Sequence, residues 1–167
     1  MDGDVVDQIL EQWAGVEPQL DVSPMAVIGR ISRLSRIIDV RLAEHFAAHG
    51  IDDWMYDVLA TLHRAGEPPE LTPSELVAHT MVTTGAMTNR LDRLEARGLV
   101  SRRPDADDRR RVVVALTPEG RAVVEAVAPG HYRLEASLLG ALGPRQRADL
   151  ARTLRRLLVE LGDTPRD

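Results

Sequence analysis

The sequence predicts a mainly α-helical domain carrying one small β-hairpin. Three observations carry that reading. Aromatic residues make up only 3% of the 167 residues, so a core has to be built from Leu, Val, Ile and Ala, and leucine-rich runs with few aromatics favour helices over a sandwich. The punctuation falls between helices: Ser23-Pro24, Thr72-Pro73-Ser74-Glu75, Thr117-Pro118-Glu119 and Gly143-Pro144 read as starts, Gly50 and Gly98 as stops. Between Leu99 and Leu116 two short runs flank a charged loop, which reads as the hairpin. The length suits one domain, 1–167, with a real core.

The elements follow in order. Residues 2–15 can form a short helix ending near Gly15. Ser23-Pro24 opens a long helix to about His49, with Ile31, Leu34, Ile38 and Leu42 on one stripe. Residues 52–63 read as a third helix with Trp54, Val58, Leu59 and Leu62 inward. The Thr72–Glu75 capping box starts a short helix to about Thr80. A turn leads to a helix over 83–97, closed by Gly98. Strands are expected over 99–103 and 111–116, around a loop at 104–110. Thr117 caps the next helix, which Pro129-Gly130 should kink or break. Gly143-Pro144 opens the last helix, where Leu150, Leu154, Leu157, Leu158 and Leu161 form an apolar stripe; the tail 162–167 is expected to fray. An apolar stripe must be covered by something. The terminal helices carry more apolar surface than so small a lobe needs, which favours a homodimer over a single-copy core.

Composition excludes several functions. There are no cysteines, so disulfide scaffolding, thiol redox sensing and Cys-ligated zinc are ruled out. The acidic start lacks a signal-peptide core, and no apolar run approaches bilayer length. A soluble, cytoplasmic protein is expected. Net charge is −5, which alone argues against a nucleic-acid partner. Its distribution does not. From Arg90 to Arg111 stand Arg90, Arg93, Arg97, Arg102, Arg103, Arg109, Arg110 and Arg111, against Asp92, Glu95, Asp105, Asp107 and Asp108. DNA affinity follows such a patch within roughly 8 Å at physiological salt.

On a helical wheel, Met87, Leu91 and Leu94 share one side of the helix over 83–97. Gly85, Thr88, Asn89, Asp92 and Arg93 share the other. The first set packs. The second offers groups that match base edges: Asn pairs with adenine, Arg with guanine, and a Thr methyl touches the thymine methyl. Gly85 and Ala86 keep the helix start slim. A solvated face is the bland reading of one such helix. The capped helix before it, the turn and the basic hairpin after it make a winged helix-turn-helix the better one. In the loop, arginine can reach an adjacent minor groove, and Asp108 can hold the Arg110 guanidinium.

The run RLEARGLVSRRPDADDRRRVVVALTPEG resembles the MarR family of winged-helix transcription factors. Asp108-Arg109-Arg110 falls at that family's wing signature, and Leu116-Thr117-Pro118-Glu119-Gly120 where strand gives way to helix. The likeness spans roughly residues 24–161. It implies a transcriptional regulator, expected to be a repressor. Such a protein is a homodimer that places two recognition helices on a pseudo-palindromic double-stranded DNA operator, and a small phenolic or anionic effector releases it. It assigns 1–49 and 118–161 to dimerisation and 52–116 to the DNA-binding lobe. The expected DNA contacts are Thr84, Thr88, Asn89, Arg93, Arg109 and Arg110. Trp13, the Ser-Pro-Met opening of the long helix, Asp57, Arg90 and Arg102 resemble the urate-responsive branch. That likeness implies a pocket in which Trp13 stacks on the ligand and Arg102 pairs with its charge. Asp57 would be repelled by the anion, and Arg90 would pass the shift to the recognition helix. On the wheel Arg90 lies near the edge of the apolar side, where burying it alone is costly, and Asp57 could be its carboxylate partner. Exposed-surface and packing roles for Asp57 and Trp13 stay open.

His45 and His49 have the i, i+4 spacing that can hold a divalent ion, but two histidines are too few ligands, and near a helix C-terminus they also suit the dipole. No metal, membrane partner or cofactor is expected. No Ser/His/Asp motif, phosphate loop or dinucleotide fingerprint appears, so an enzyme is not expected. A regulator answering a different phenolic ligand, or a winged helix used only in protein–protein contact, remain as alternatives.

Overall fold

The computed structural model describes residues 3–66, 68–80, 84–105, 108 and 110–164. The chain divides into two compact units, 1–44 and 45–167.

In the N-terminal unit, α1 (Val5–Val16) begins at a reciprocal cap. Asp4 accepts from the backbone N–H groups of Val6 and Asp7, and the Asp7 side chain accepts from the Asp4 N–H. This satisfies donors that a helix start leaves unpaired. Gly15 lies inside α1, not at its end. The second helix, α2 (Met25–Ala48), is tied to α1 by Arg30, whose guanidinium lies 2.8 Å from Asp4 and 2.6 Å from Asp7. Val6 is buried and packs against Gly29. Much of α2 stays exposed, including Val27, Ile28, Ile31 and Leu34.

In the second unit, α3 (Asp53–His63) supplies the centre of the core. Met55, Val58, Leu59 and Leu62 are all but inaccessible. Trp54 is not among them: it is half-buried, and the arginines stacked on it explain why. A two-residue strand, β1 (Glu70–Leu71), is one the sequence does not announce. The Thr72–Glu75 capping box opens α4 (Pro73–His79) as its residues predict. Helix α5 (Thr84–Ala96) follows and ends at Gly98, whose φ of +68° is the left-handed conformation that favours glycine. Strands β2 (Val100–Pro104) and β3 (Val112–Leu116) pair antiparallel, with Ser101 opposite Ala115 and Arg102 opposite Val114. β1 adds to the far side of β3, giving the order β1-β3-β2. Thr117 caps α6 (Pro118–Leu138), accepting from the Gly120 N–H and donating to the Gly98 carbonyl.

The expected break at Pro129-Gly130 does not occur. α6 is continuous through both residues. Pro129 lacks the N–H that would reach the Glu125 carbonyl, but Pro129 and Glu125 are both exposed, so water can take the freed carbonyl. Gly130 serves packing: a Cβ there would lie 2.6 Å from the His45 ring. The His45 Nε2 sits 3.3 Å from the Val127 carbonyl, and His49 Nδ1 2.9 Å from that of His45. Last comes α7 (Pro144–Glu160), in which no residue is buried. Among the described residues, no helix is long and apolar enough to cross a membrane.

Candidate nucleic-acid interface and adjoining cavity

Helix α5 is anchored by its inner stripe. Met87, Leu91 and Leu94 are at most 1% exposed. The opposite face presents Gly85, Thr88 and Asn89, all exposed. Each flank of the helix is held by a different chemistry.

On one flank stands Arg102 of β2. Its guanidinium lies 2.6 Å from Asp92 and 3.6 Å from Glu95, and its backbone N–H donates to Glu95 at 3.1 Å. This strand-to-helix brace fixes the hairpin against α5. Arg102 is thus held by Asp92 and Glu95 and does not line the cavity that Asp57 and Arg90 share. Sequence spacing cannot show this, because Asp92 and Glu95 become partners only once β2 folds back along the helix.

The other flank meets α3. The Arg93 guanidinium lies 4.6 Å from the centroid of the Trp54 ring and that of Arg90 lies 5.5 Å away. Such cation–π stacking is electrostatic attraction to the ring face. The Trp54 indole N–H donates to Asp52 at 2.9 Å, and the same carboxylate oxygen is 3.6 Å from Arg93. Arg97 closes this side, donating to the Gly50 carbonyl at 3.0 Å.

Among the described residues of the wing, an acid holds an arginine. Asp108 accepts from the Arg110 backbone N–H at 3.0 Å and stands 3.6 Å from the Arg110 guanidinium. That is the contact the spacing predicts. The Arg110 side chain is 95% exposed. Arg103 reaches both carboxylate oxygens of Glu70, at 2.5 and 2.6 Å, which ties β2 to the short first strand. Arg109 and the side chain of Thr84, both expected at DNA, lie outside the described residues.

A cavity of about 420 Å³ opens beside Trp54 and Arg90. Asp53, Asp57 and Ala60 line it from α3 and Arg64 from just past its end, and Phe46, Tyr56, His131 and Tyr132 supply aromatic walls. The His131 ring packs at 5.5 Å from Phe46 and 5.0 Å from Tyr56. Burial pushes the Asp57 carboxyl up from its ordinary value, against the pull of Arg64 and Arg90. Burial likewise raises the Tyr56 hydroxyl. Of the four expected ligand residues, Asp57 and Arg90 share this cavity. Among the described residues no ion pair within 4 Å joins them, though Arg90 attracts the Asp57 carboxylate from a greater distance and stacks on Trp54. Trp13 lies on α1 in the N-terminal unit, 41% exposed. Arg64 and the aromatic walls are not among the residues the sequence singles out. A signal for Arg64 is present, since Asp53, Asp57, Ala60 and Arg64 fall on one face at i, i+4, i+7 and i+11.

A family model described as MarR family matches residues 49–111. The chain is 38% identical over 152 residues to the HTH-type transcriptional regulator PecS of Dickeya dadantii, spanning 91% of this chain and 92% of that protein. The structure resembles that of a mutant MarR from Escherichia coli complexed with operator DNA, with a TM-score of 0.72, 28% identity and coverage of 93% of this chain and 99% of that one. It also resembles Bordetella bronchiseptica BpsR, whose DNA binding is regulated by 6-hydroxynicotinic acid. Here the TM-score is 0.70 and the identity 27%, over 78% of this chain and 91% of that one.

Proposed function

The chain belongs to the MarR family of transcriptional regulators, and we propose that it is a repressor that binds a pseudo-palindromic operator as a homodimer and is released by a small anionic or aromatic ligand. Its relatives are regulators, not enzymes. The observation that carries the proposal is the outward face of α5, with Thr88 and Asn89 exposed, beside a wing whose Arg110 is 95% exposed. An inward-packed helix with a slim polar outer face fits a major groove, and an extended arginine on a hairpin fits a minor groove or its phosphates. Thr84, Thr88, Asn89 and Arg93 meet the DNA from α5 in this reading, and Arg109 and Arg110 act from the wing. Occupying a promoter is enough to repress, and the cytoplasm is where the operator lies.

The homodimer is supported by α7. A helix of 17 residues with none buried leaves its apolar stripe to be covered by another chain. The ligand is supported by the cavity. Aromatic walls suit a planar ring, and Arg64 and Arg90 suit its negative charge. Asp57 there gives an entering anion a like charge to repel, or one that takes a proton from solvent in response. Urate is the effector to try first, with Asp57 and Arg90 in the roles first expected of them and Arg64 in place of Arg102. An anion that draws Arg90 toward itself acts directly on α5, and coupling of about 1–3 kcal/mol is typical of such control.

A nuclease footprint on the DNA flanking the gene, with and without urate, tests this. Two protected half-sites about one helical turn apart are expected, and urate should erase them. No protection at low salt would end the repressor reading. Protection that ignores urate and related aromatic acids would end the ligand assignment alone.

A further inference from the structure

The Asp52-Asp53-Trp54 segment does something its position does not require. Asp52 stands at the N-cap of α3 with extended backbone, and aspartate is a preferred capping residue, yet its side chain makes no cap hydrogen bond. Its carboxylate instead accepts from the Trp54 indole at 2.9 Å and lies 3.6 Å from the Arg93 guanidinium. Trp54 is apolar enough for the core, yet it stays half-buried, with Arg93 at 4.6 Å and Arg90 at 5.5 Å from its ring. A cap forgone and a large aromatic held at the surface both serve one object, the Arg93 side chain.

From this we infer that Trp54 is a positioning residue for operator binding: its ring, with Asp52, holds Arg93 on the flank of α5 with the edges of the guanidinium turned to the phosphate backbone. This rests on the DNA-binding reading above and adds a residue outside the helix and the wing. At the roughly 100° per residue of an α-helix, Arg93 lies about 80° around from Gly85 and about 40° from Asn89, off the centre of the polar face. That is a flank position, suited to phosphate and not to a base edge. Stacking uses the face of a guanidinium and leaves its N–H edges available for bidentate contact. The Arg93 side chain is 58% exposed in this arrangement. A long side chain already ordered loses less freedom on binding, which is affinity gained before any new contact forms. The same indole lines the cavity, so cavity and Arg93 meet at one ring.

The test is a double-mutant cycle on operator affinity, read by anisotropy of a labelled duplex taken from the footprinted DNA. Trp54→Leu should weaken binding roughly two- to fivefold, the range expected for an exposed cation–π contact. Trp54→Phe should keep most of the affinity, since phenylalanine retains a ring face. In an Arg93→Gln background, Trp54→Leu should add nothing. A merely structural role for Trp54 would weaken binding by the same factor in both backgrounds, and that result overturns the inference, as does full affinity in Trp54→Leu. Circular dichroism melts check the fold. Should Trp54→Leu fail to fold, Asp52→Asn in the same cycle replaces it, with the same expectation. If the unaltered protein binds none of the flanking DNA, the repressor reading fails and takes this with it. Binding with an additive cycle removes only the role of Trp54.

Discussion

Helices α5 and α7 are both amphipathic, and one chain completes the first but not the second. The inner stripe of α5 is sealed, with Met87, Leu91 and Leu94 at most 1% exposed. The stripe of α7 is open, with Leu157 at 41%, Leu158 at 47% and, just past its end, Leu161 at 83%. The difference separates two tasks. The geometry of α5, the helix proposed to face DNA, is set inside a single chain by its core. The placement of α7 depends on what covers it, and in the proposed homodimer the spacing between two copies of α5 would depend on it too.

The largest effect should come from closing off the open stripe. Leu154→Glu with Leu158→Glu places two charges where a second copy is expected to pack. Sedimentation should show a monomer that still melts cooperatively, because neither leucine is buried in the chain. Operator affinity should fall by about 100-fold or more, the usual loss when two linked contacts become one. A variant that stays dimeric would move the interface away from α7. Next in size is the sealed stripe. Leu91→Ala should cost about 2–5 kcal/mol in denaturant unfolding, as expected for a cavity cut into a packed core, without changing the oligomeric state. A loss under about 1 kcal/mol would show that α5 is not held by its core.

A smaller effect is expected one helix earlier. Thr72→Ala removes the side-chain half of the cap that opens α4 and should cost about 1 kcal/mol. Glu75, in the same cap, has its pKa lowered chiefly by the Thr72 backbone N–H, then by the Thr72 hydroxyl. A group whose folded pKa is depressed contributes stability above its unfolded pKa, and that stability is lost as pH falls through the folded value. Thr72→Ala should therefore matter most at neutral pH and fade on acidification below the ordinary glutamate range. Constant loss across pH would mean the carboxylate plays no part.

The smallest change separates the cavity from both helices. Asp57 has a folded pKa raised by burial. Its contribution is then present in full below the ordinary aspartate range and lost as pH rises through the raised value. Asp57→Asn abolishes that titration, so melting temperatures should show the variant gaining on the unaltered protein as pH rises from the acidic range to neutrality. Parallel profiles would mean that Asp57 is effectively solvated.

Local signals are legible in the sequence and long-range ones are not. The Thr72–Glu75 box, the Gly98 stop and the Asp108–Arg110 contact each lie within a few residues of chain, and each has its expected form. The stripe at Met87, Leu91 and Leu94 is readable because helical period alone decides which side packs. The partners of Arg102, expected from the family resemblance to meet a ligand, are not legible because they lie seven and ten residues away, across the turn from helix to strand. The short β1 strand escapes notice because two residues carry no periodicity, and it pairs with β3, far along the chain at Val114 and Ala115. Trp54 reads as core because a large aromatic on an apolar stripe usually is; its exposure follows from arginines on a different helix. Pro129 reads as a break because the solvation of its freed carbonyl depends on burial, which sequence shows only indirectly.

In the proposed regulator the outer face of α5 and the wing bind DNA together. Affinity of the full chain for the flanking duplex, compared with that of Asn89→Ala combined with Arg110→Ala, tests it most directly. The double variant should melt like the unaltered protein, since both side chains are exposed, and should lose at least about fivefold in affinity, at the roughly 1–3 kcal/mol typical of a base contact. Unchanged affinity would mean that these two surfaces do not bind DNA.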